Sequence, residues 1–153
     1  MMDRTAFPDH RTLPNVAVRR AGHEDFPSVV RLYEEWGYGG TYTPSDMIWL
    51  AEAGAGPVGV VRLVHEEGTV VLRGMFVTAA WRNNGIAGRL LEAATRELDE
   101  PCWCIPFAYL EPFYARFGFV AATETEAPSF LVERLGRYRW TGRDYRIMRR
   151  SGS

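Results

Sequence analysis

One stretch of this 153-residue chain carries the spacing of a binding site: Val77-Thr78-Ala79-Ala80-Trp81-Arg82-Asn83-Asn84-Gly85-Ile86-Ala87-Gly88. It leaves a strand, turns through small polar residues and enters a helix at a glycine. The first amides of a helix have no acceptor inside it and point outward together. With the positive end of the helix dipole behind them, they bind phosphate oxygens without side-chain charge. Gly85, Ala87 and Gly88 keep the surface bare, so that a diphosphate can approach the backbone. Two other phosphate chemistries do not match. A P-loop ends in Gly-Lys-Ser/Thr, and the chain has no lysine. A dinucleotide fingerprint needs G-x-G-x-x-G, and Asn83 stands where its first glycine would be.

The elements that must position this loop can be read from period and punctuation. A short strand over 16–19 is broken by Ala21-Gly22-His23-Glu24-Asp25, and Asp25 is placed to cap a helix at Phe26–Trp36. Val29, Leu32, Tyr33 and Trp36 give that helix one apolar face. Glycines 37, 39 and 40 and Pro44 end it in a loop whose Tyr38 and Tyr42 either line a pocket or lid the core. Met47–Ala53, residues 57–65 and Thr69–Val77 then read as three strands with tight turns, an antiparallel meander. From 85 to 98 the apolar positions Ile86, Leu90, Leu91, Ala94 and Leu98 change to helical spacing. A strand over 102–107, a short helix over 110–117, a strand at Phe119–Ala121, a helix over 129–137 and a last strand over 145–149 complete the chain. Strand, crossover helix and strand in that order imply a parallel pair inside an otherwise antiparallel sheet.

Composition bounds the class. The chain is the size of one ordinary domain, with 46% hydrophobic and 24% charged residues, which excludes bulk disorder. Eighteen arginines against nineteen acids leave a formal charge of −1, so the surface as a whole does not grip nucleic acid. The absence of lysine fits an arginine-biased coding background and means that no side-chain amine here can be acylated. No apolar run approaches the ~20 residues of a membrane span, and residues 1–15 read as a flexible polar lead-in without the apolar stretch of a signal peptide. Cys102 and Cys104 lie too close and too parallel to bridge and form no metal-ligand set; buried reduced thiols suit a cytoplasmic protein. No metal is expected. Residues 16–150 are expected to form a single domain.

Two motifs together resemble the GCN5-related N-acetyltransferase (GNAT) family. Its pyrophosphate loop, Arg/Gln-x-x-Gly-x-Gly/Ala after a strand ending in Val, is similar to Arg82-Asn83-Asn84-Gly85-Ile86-Ala87 after Met75-Phe76-Val77. Its Phe-Tyr-x-x-x-Gly-Phe element is similar to Phe113-Tyr114-Ala115-Arg116-Phe117-Gly118-Phe119. The resemblance spans residues 16–121, with the last strand also expected. It departs from the family at Ala79, usually Pro, and at Asn83, usually Gly. Phe107 stands where many members carry an Asn that holds the cofactor's pantetheine arm.

The resemblance implies an α/β (α+β) fold: a mixed, mostly antiparallel sheet of six to seven strands flanked by helices and splayed at the central parallel pair. It implies acetyl-CoA as co-substrate, with Met75, Phe76 and Val77 binding pantetheine through backbone groups and Arg82, Asn83, Asn84, Gly85, Ile86, Ala87 and Gly88 cradling the pyrophosphate. The implied reaction is direct attack of a primary amine (small molecule, amino acid or peptide end) on the thioester. The N–H of Met75 or Phe76 faces the oxyanion of the tetrahedral intermediate, and Tyr114 is the general acid. Candidates for the base are Glu34, Glu35, Glu111 and His65, because the strand over Thr69–Val77 holds no carboxylate, only Arg73. Tyr38, Tyr42 and Arg73 are candidate acceptor-binding residues; an arginine facing the acceptor suits a carboxylate or phosphate on it. Family members are often homodimers. The runner-up is a catalytically idle acyl-CoA-binding sensor or interaction module. Seven arginines over 134–150, interleaved with aromatics, resemble an RNA-binding strip, but a helix and a strand there spread them over different faces, so a nucleic acid is not the expected partner.

Overall fold

The computed structural model describes residues 15–152. Its strands are β1 (Ala17–Arg20), β2 (Met47–Ala53), β3 (Gly56–Glu66), β4 (Thr69–Val77), β5 (Cys102–Cys104), β6 (Phe119–Ala121) and β7 (Met148–Arg150). They form one sheet in the order β1-β2-β3-β4-β5-β7-β6. Four α-helices accompany it: α1 (Phe26–Trp36), α2 (Ile86–Thr95), α3 (Glu111–Ala115) and α4 (Ser129–Arg139). β4 and β5 are the parallel pair, in register at Val70 with Cys102 and Val71 with Trp103. The expected lead-in lies, apart from Asn15, outside the described residues.

The chain divides into two compact units. The first runs up to Val64 and resumes over Arg73–Thr95. Its core joins Val29, Leu32 and Tyr33 of α1 to Ile48 and Leu50 of β2, Val60 of β3 and Phe76 of β4. β3 is buried continuously from Val58 to Leu63, as a strand covered on both faces should be. Gly37, left-handed at φ 75°, closes α1: its amide donates to the Glu34 carbonyl (3.1 Å) and that of Tyr38 to Tyr33 (3.0 Å). Asp25 precedes α1 as expected but does not cap it with its side chain. Its carboxylate instead accepts from both terminal nitrogens of Arg19 (2.8 Å each) and from the Gly22 amide (2.8 Å), because a charged partner is the stronger donor.

The second unit comprises His65–Leu72 and the chain from Arg96 onward. α4 packs Leu131 and Leu135 on Val71, Trp103 and Ile147. β5 stops at Cys104, short of the expected residue 107. Pro106 has no N–H for the ladder, and pairing resumes as an isolated bridge between Phe107 and Tyr145. The last strand accordingly begins at Met148 rather than 145. α2 ends at Thr95 rather than near 98; the Thr95 hydroxyl donates back to the Leu91 carbonyl (2.8 Å), a bond that tends to bend helices. The helix expected over 110–117 is a 3-10 turn at Ala108–Leu110 followed by α3. Both cysteines are free and buried, and burial pushes the Cys102 thiol up to about 12.

Candidate active site

In the first unit, β4 ends at Val77 and the Thr78 amide is taken by the Val58 carbonyl (2.9 Å). A 3-10 turn at Ala79–Trp81 leads into Arg82, whose backbone is extended. Asn83 and Gly85 then both adopt left-handed angles, φ 65° and 76°. Asparagine is among the few side chains that tolerate this region, so the loop keeps its turn without the family's usual glycine. The Asn84 side chain donates to the carbonyls of Trp81 (3.3 Å) and Arg82 (3.1 Å), fixing the bend. The Gly85 carbonyl accepts from Arg89 (3.2 Å), which places Gly85 just before the first turn of α2. The amides of Ile86, Ala87 and Gly88 are therefore without intrahelical acceptors. Arg82 donates its Nε to the Val77 carbonyl (2.9 Å) and lies over the Phe76 ring at 5.7 Å. Its two terminal nitrogens make no hydrogen bond among the described residues. Adjacent amides, two left-handed residues and an anchored guanidinium fit a diphosphate.

β4 itself carries a feature the sequence pattern does not announce. Gly74 sits inside the strand at φ 65°. A Cβ there would collide with the Tyr33 hydroxyl and lie 3.2 Å from Arg62 Nε, so both the angle and the space require glycine. The Tyr33 hydroxyl donates to the Gly74 carbonyl (2.9 Å) and accepts from Arg62 Nε (3.2 Å). After Gly74 the chain runs through half-buried Met75 into buried Phe76 and Val77. Arg73 is half-buried.

Tyr38 and Tyr42, the two candidate acceptor residues of the loop after α1, gather around Arg62. The Arg62 guanidinium donates to the Tyr38 hydroxyl (2.6 Å) and to Asp46 Oδ2 (3.0 Å). The rings of Tyr33, Tyr38 and Tyr42 stand 5.5–5.9 Å from its central carbon. Trp36 stacks between Tyr38 (4.7 Å) and Phe76 (5.4 Å, interplanar 7°). Arg62, Tyr33 and Asp46 were not singled out by motif. Their one sequence signal is a lone arginine inside the apolar run Val58-Gly59-Val60-Val61-Arg62-Leu63-Val64. Glu34 and Glu35 lie exposed on α1.

In the second unit, α3 carries Tyr114, of which 6% remains accessible, packed edge-on against Phe113 and Phe119. Its hydroxyl bonds to no described residue, yet no buried side-chain polar atom among them lacks a partner. The accessible part of Tyr114 therefore includes the hydroxyl. Burial, reinforced by the Cys104 and Cys102 thiols, pushes this phenol well above its ordinary range, so it stays protonated. Phe107 is stacked between Tyr109 (5.5 Å) and Tyr145 (4.8 Å), with Arg143 over its ring at 5.5 Å. Glu111 faces Arg146 (3.5 Å) and His65 faces Glu100 (3.7 Å), all four partly exposed. Several of the C-terminal arginines are spent on separate partners. Arg134 grips Glu66 with two bonds (2.7 and 3.2 Å), Arg139 faces Glu124 (3.6 Å), Arg149 covers Trp103, and Arg150 donates to the Phe117 carbonyl (3.2 Å).

Both motifs fall inside one family match: residues 44–121 match the acetyltransferase (GNAT) domain. The chain belongs to the GNAT acetyltransferase family. As a member it is an acyltransferase, and its seven-stranded mixed sheet with one parallel pair is the family's architecture. Solved GNAT structures share the fold at low identity. ElaA from Escherichia coli superposes with a TM-score of 0.65 at 19% identity, over 89% of this chain and 99% of that one. Naa50 from Arabidopsis thaliana gives 0.64 at 16%, over 90% and 99%. N-acetylglutamate synthase from Neisseria gonorrhoeae gives 0.65 at 21%, over 90% of this chain. This GNAT chain spans 35% of that enzyme's length. No curated protein sequence matches the chain. Among the described residues, no helix is long and apolar enough to cross a membrane.

Proposed function

We propose that this GNAT protein is an acetyl-CoA-dependent N-acetyltransferase acting on a primary amine, whether of a small molecule, an amino acid or a peptide end. The observation that carries the reading is the loop over 82–88, with its unpaired helix-start amides and its anchored Arg82. Two structural neighbours support it: the Neisseria enzyme was crystallised with coenzyme A and N-acetyl-glutamate, and Naa50 with a bisubstrate analogue joining CoA to a peptide. In this reading residues 16–150 act as one acetyltransferase domain, in the cytoplasm, where buried thiols stay reduced. Acetyl-CoA supplies the activated acetyl thioester. The amides of Ile86, Ala87 and Gly88, with Arg82, bind the pyrophosphate. The backbone of Met75 to Val77 holds the pantetheine arm, and the Met75 or Phe76 N–H serves the developing oxyanion. Tyr114, kept protonated by burial, gives its proton to the departing thiolate. Glu34, Glu35 and Glu111 stay the candidates for accepting the ammonium proton through water. The exposure of Glu34 and Glu35 and the pairing of Glu111 with Arg146 favour one second reading, an acyl-CoA-binding module without turnover.

Acetyl-CoA at about 100 times its Kd should stabilise the fold by about 2.7 kcal/mol. At about 2–4 °C per kcal/mol for a chain this size, Tm rises by about 5–10 °C. No rise at millimolar CoA sinks both readings, and thiol release with an amine panel separates enzyme from module. Tyr114→Phe should lower kcat by about 10²-fold. It should leave CoA affinity and Tm unchanged, because the hydroxyl makes no bond that folding depends on.

A further inference from the structure

An arginine at 1% side-chain exposure in the middle of an apolar strand needs a reason. Leucine or methionine at 62 would complete β3 without the desolvation that a guanidinium suffers there. What the charge provides is connection. One hydrogen-bonded chain runs from the Gly74 carbonyl to the Tyr33 hydroxyl, on to Arg62 Nε, and through its two terminal nitrogens to Tyr38 and Asp46. Tyr38 and Asp46 are the two ends of the segment between α1 and β2. Between them the segment has little structure of its own. Its internal backbone bond is Asp46 N–H to the Thr43 carbonyl (3.1 Å), backed by Thr43 N–H and hydroxyl on the Asp46 carboxylate (3.1 and 3.3 Å). Gly39, Thr41, Thr43, Pro44 and Ser45 are exposed. The other end of the chain is the left-handed glycine just ahead of Met75, whose amide is a candidate oxyanion donor.

We propose that Arg62 is a positioning residue that ties the loop over 37–46 to the Gly74 turn of β4 and so sets how tightly the amine acceptor is held. The assignment of that loop to the acceptor rests on the acetyltransferase reading above; the tie itself does not. Arg62 touches no substrate in this scheme. It works by holding Tyr38 and Tyr42 inward, where both rings are half-buried, and by keeping one geometry between loop and strand.

Chymotrypsin, which cuts after aromatic residues, reads the tie directly. In Arg62→Met, cleavage after Tyr38 or Tyr42 should be at least tenfold faster than in the wild-type protein. Arg62→Lys, whose single ammonium reaches only part of the set, should fall between. Leu135→Ala, a core truncation in the other unit, supplies a protein of lowered stability in which those two sites stay protected. Equal cleavage in Arg62→Met and Leu135→Ala, or no change in Arg62→Met, overturns the proposal. With L-glutamate, putrescine and a pentapeptide bearing a free amino terminus as probes, KM for the best of them should rise at least tenfold in Arg62→Met. CoA affinity should stay within twofold. An unchanged acceptor KM overturns the link to the acceptor. A wild-type protein that binds no CoA overturns the acetyltransferase reading instead, while the cleavage pattern still decides the tie.

Discussion

Removing the less buried member of the Arg62–Asp46 pair should do more harm than removing the more buried one. The two side chains are 1% and 13% exposed and meet at 3.0 Å. In Asp46→Ala the guanidinium stays where it is, out of water, facing only the neutral hydroxyls of Tyr33 and Tyr38. Stranding a buried charge in this way costs about 3–5 kcal/mol. In Arg62→Met the stranded group is Asp46, which already touches solvent and keeps its Thr43 contacts. The Tyr33 hydroxyl keeps the Gly74 carbonyl, and methionine fills the volume with apolar atoms. The remaining loss is a partner for the Tyr38 hydroxyl, about 1–2 kcal/mol. The expected gap of about 2 kcal/mol corresponds to a urea midpoint about 1 M lower for Asp46→Ala, at about 2 kcal/mol per M. The double variant should lie near Arg62→Met, not at the sum, because the stranded charge is gone; the coupling should exceed about 1 kcal/mol. Equilibrium urea unfolding at neutral pH measures all three. A lower midpoint for Arg62→Met than for Asp46→Ala, or simple additivity in the double variant, would refute the reasoning.

Two further outcomes follow from groups elsewhere in the first unit. Arg82→Ala should weaken CoA binding about 10- to 100-fold by calorimetry, the loss of one charged hydrogen bond to a phosphate; unchanged affinity would leave the backbone amides as the whole site. Arg19, hydrogen-bonded to Asp25, holds that carboxyl down to about 2. The stabilisation is thus fully present above the unfolded value of about 3.9 and is lost as pH falls through about 2. Since Arg19 is 39% exposed, solvent screening limits it to about 1 kcal/mol. Asp25→Asn should lower Tm at pH 6, and the gap should shrink steadily as pH falls from about 4 through about 2; a gap that does not shrink in acid would show that the pair is not its source.

What was legible in the sequence was local. α1, β2, β4 and β6 lie where period and punctuation place them, because their apolar faces and glycine stops are written within a few residues. The geometry of the loop over 82–88 is legible for the same reason: it is set in the backbone by Asn83, Gly85 and the helix start that follows. The strand at Cys102 is shorter than its hydrophobicity suggests because one proline interrupts its ladder. The arrangement around Arg62 was out of reach. Its hydrogen bonds join residues 16 to 41 positions apart, so no short window contains both partners of any of them. Gly74 was hidden for a related reason, since the space a Cβ would need there is taken by a tyrosine on a distant helix. The role of Tyr114 was suggested by a motif, but the free state of its hydroxyl belongs to packing.

The pinned loop also constrains how such a protein can change over generations. Arg62, Tyr33, Tyr38, Asp46 and Gly74 form a set in which a single replacement strands a charge, a hydroxyl or a Cβ, so drift at one position is penalised until another compensates. The exposed residues between the two anchors, Gly39, Thr41, Pro44 and Ser45, carry almost none of that burden. If this loop holds the acceptor as proposed, acceptor preference in descendants of this sequence can diversify there by substitution or by insertion, with the anchors and the loop over 82–88 left in place.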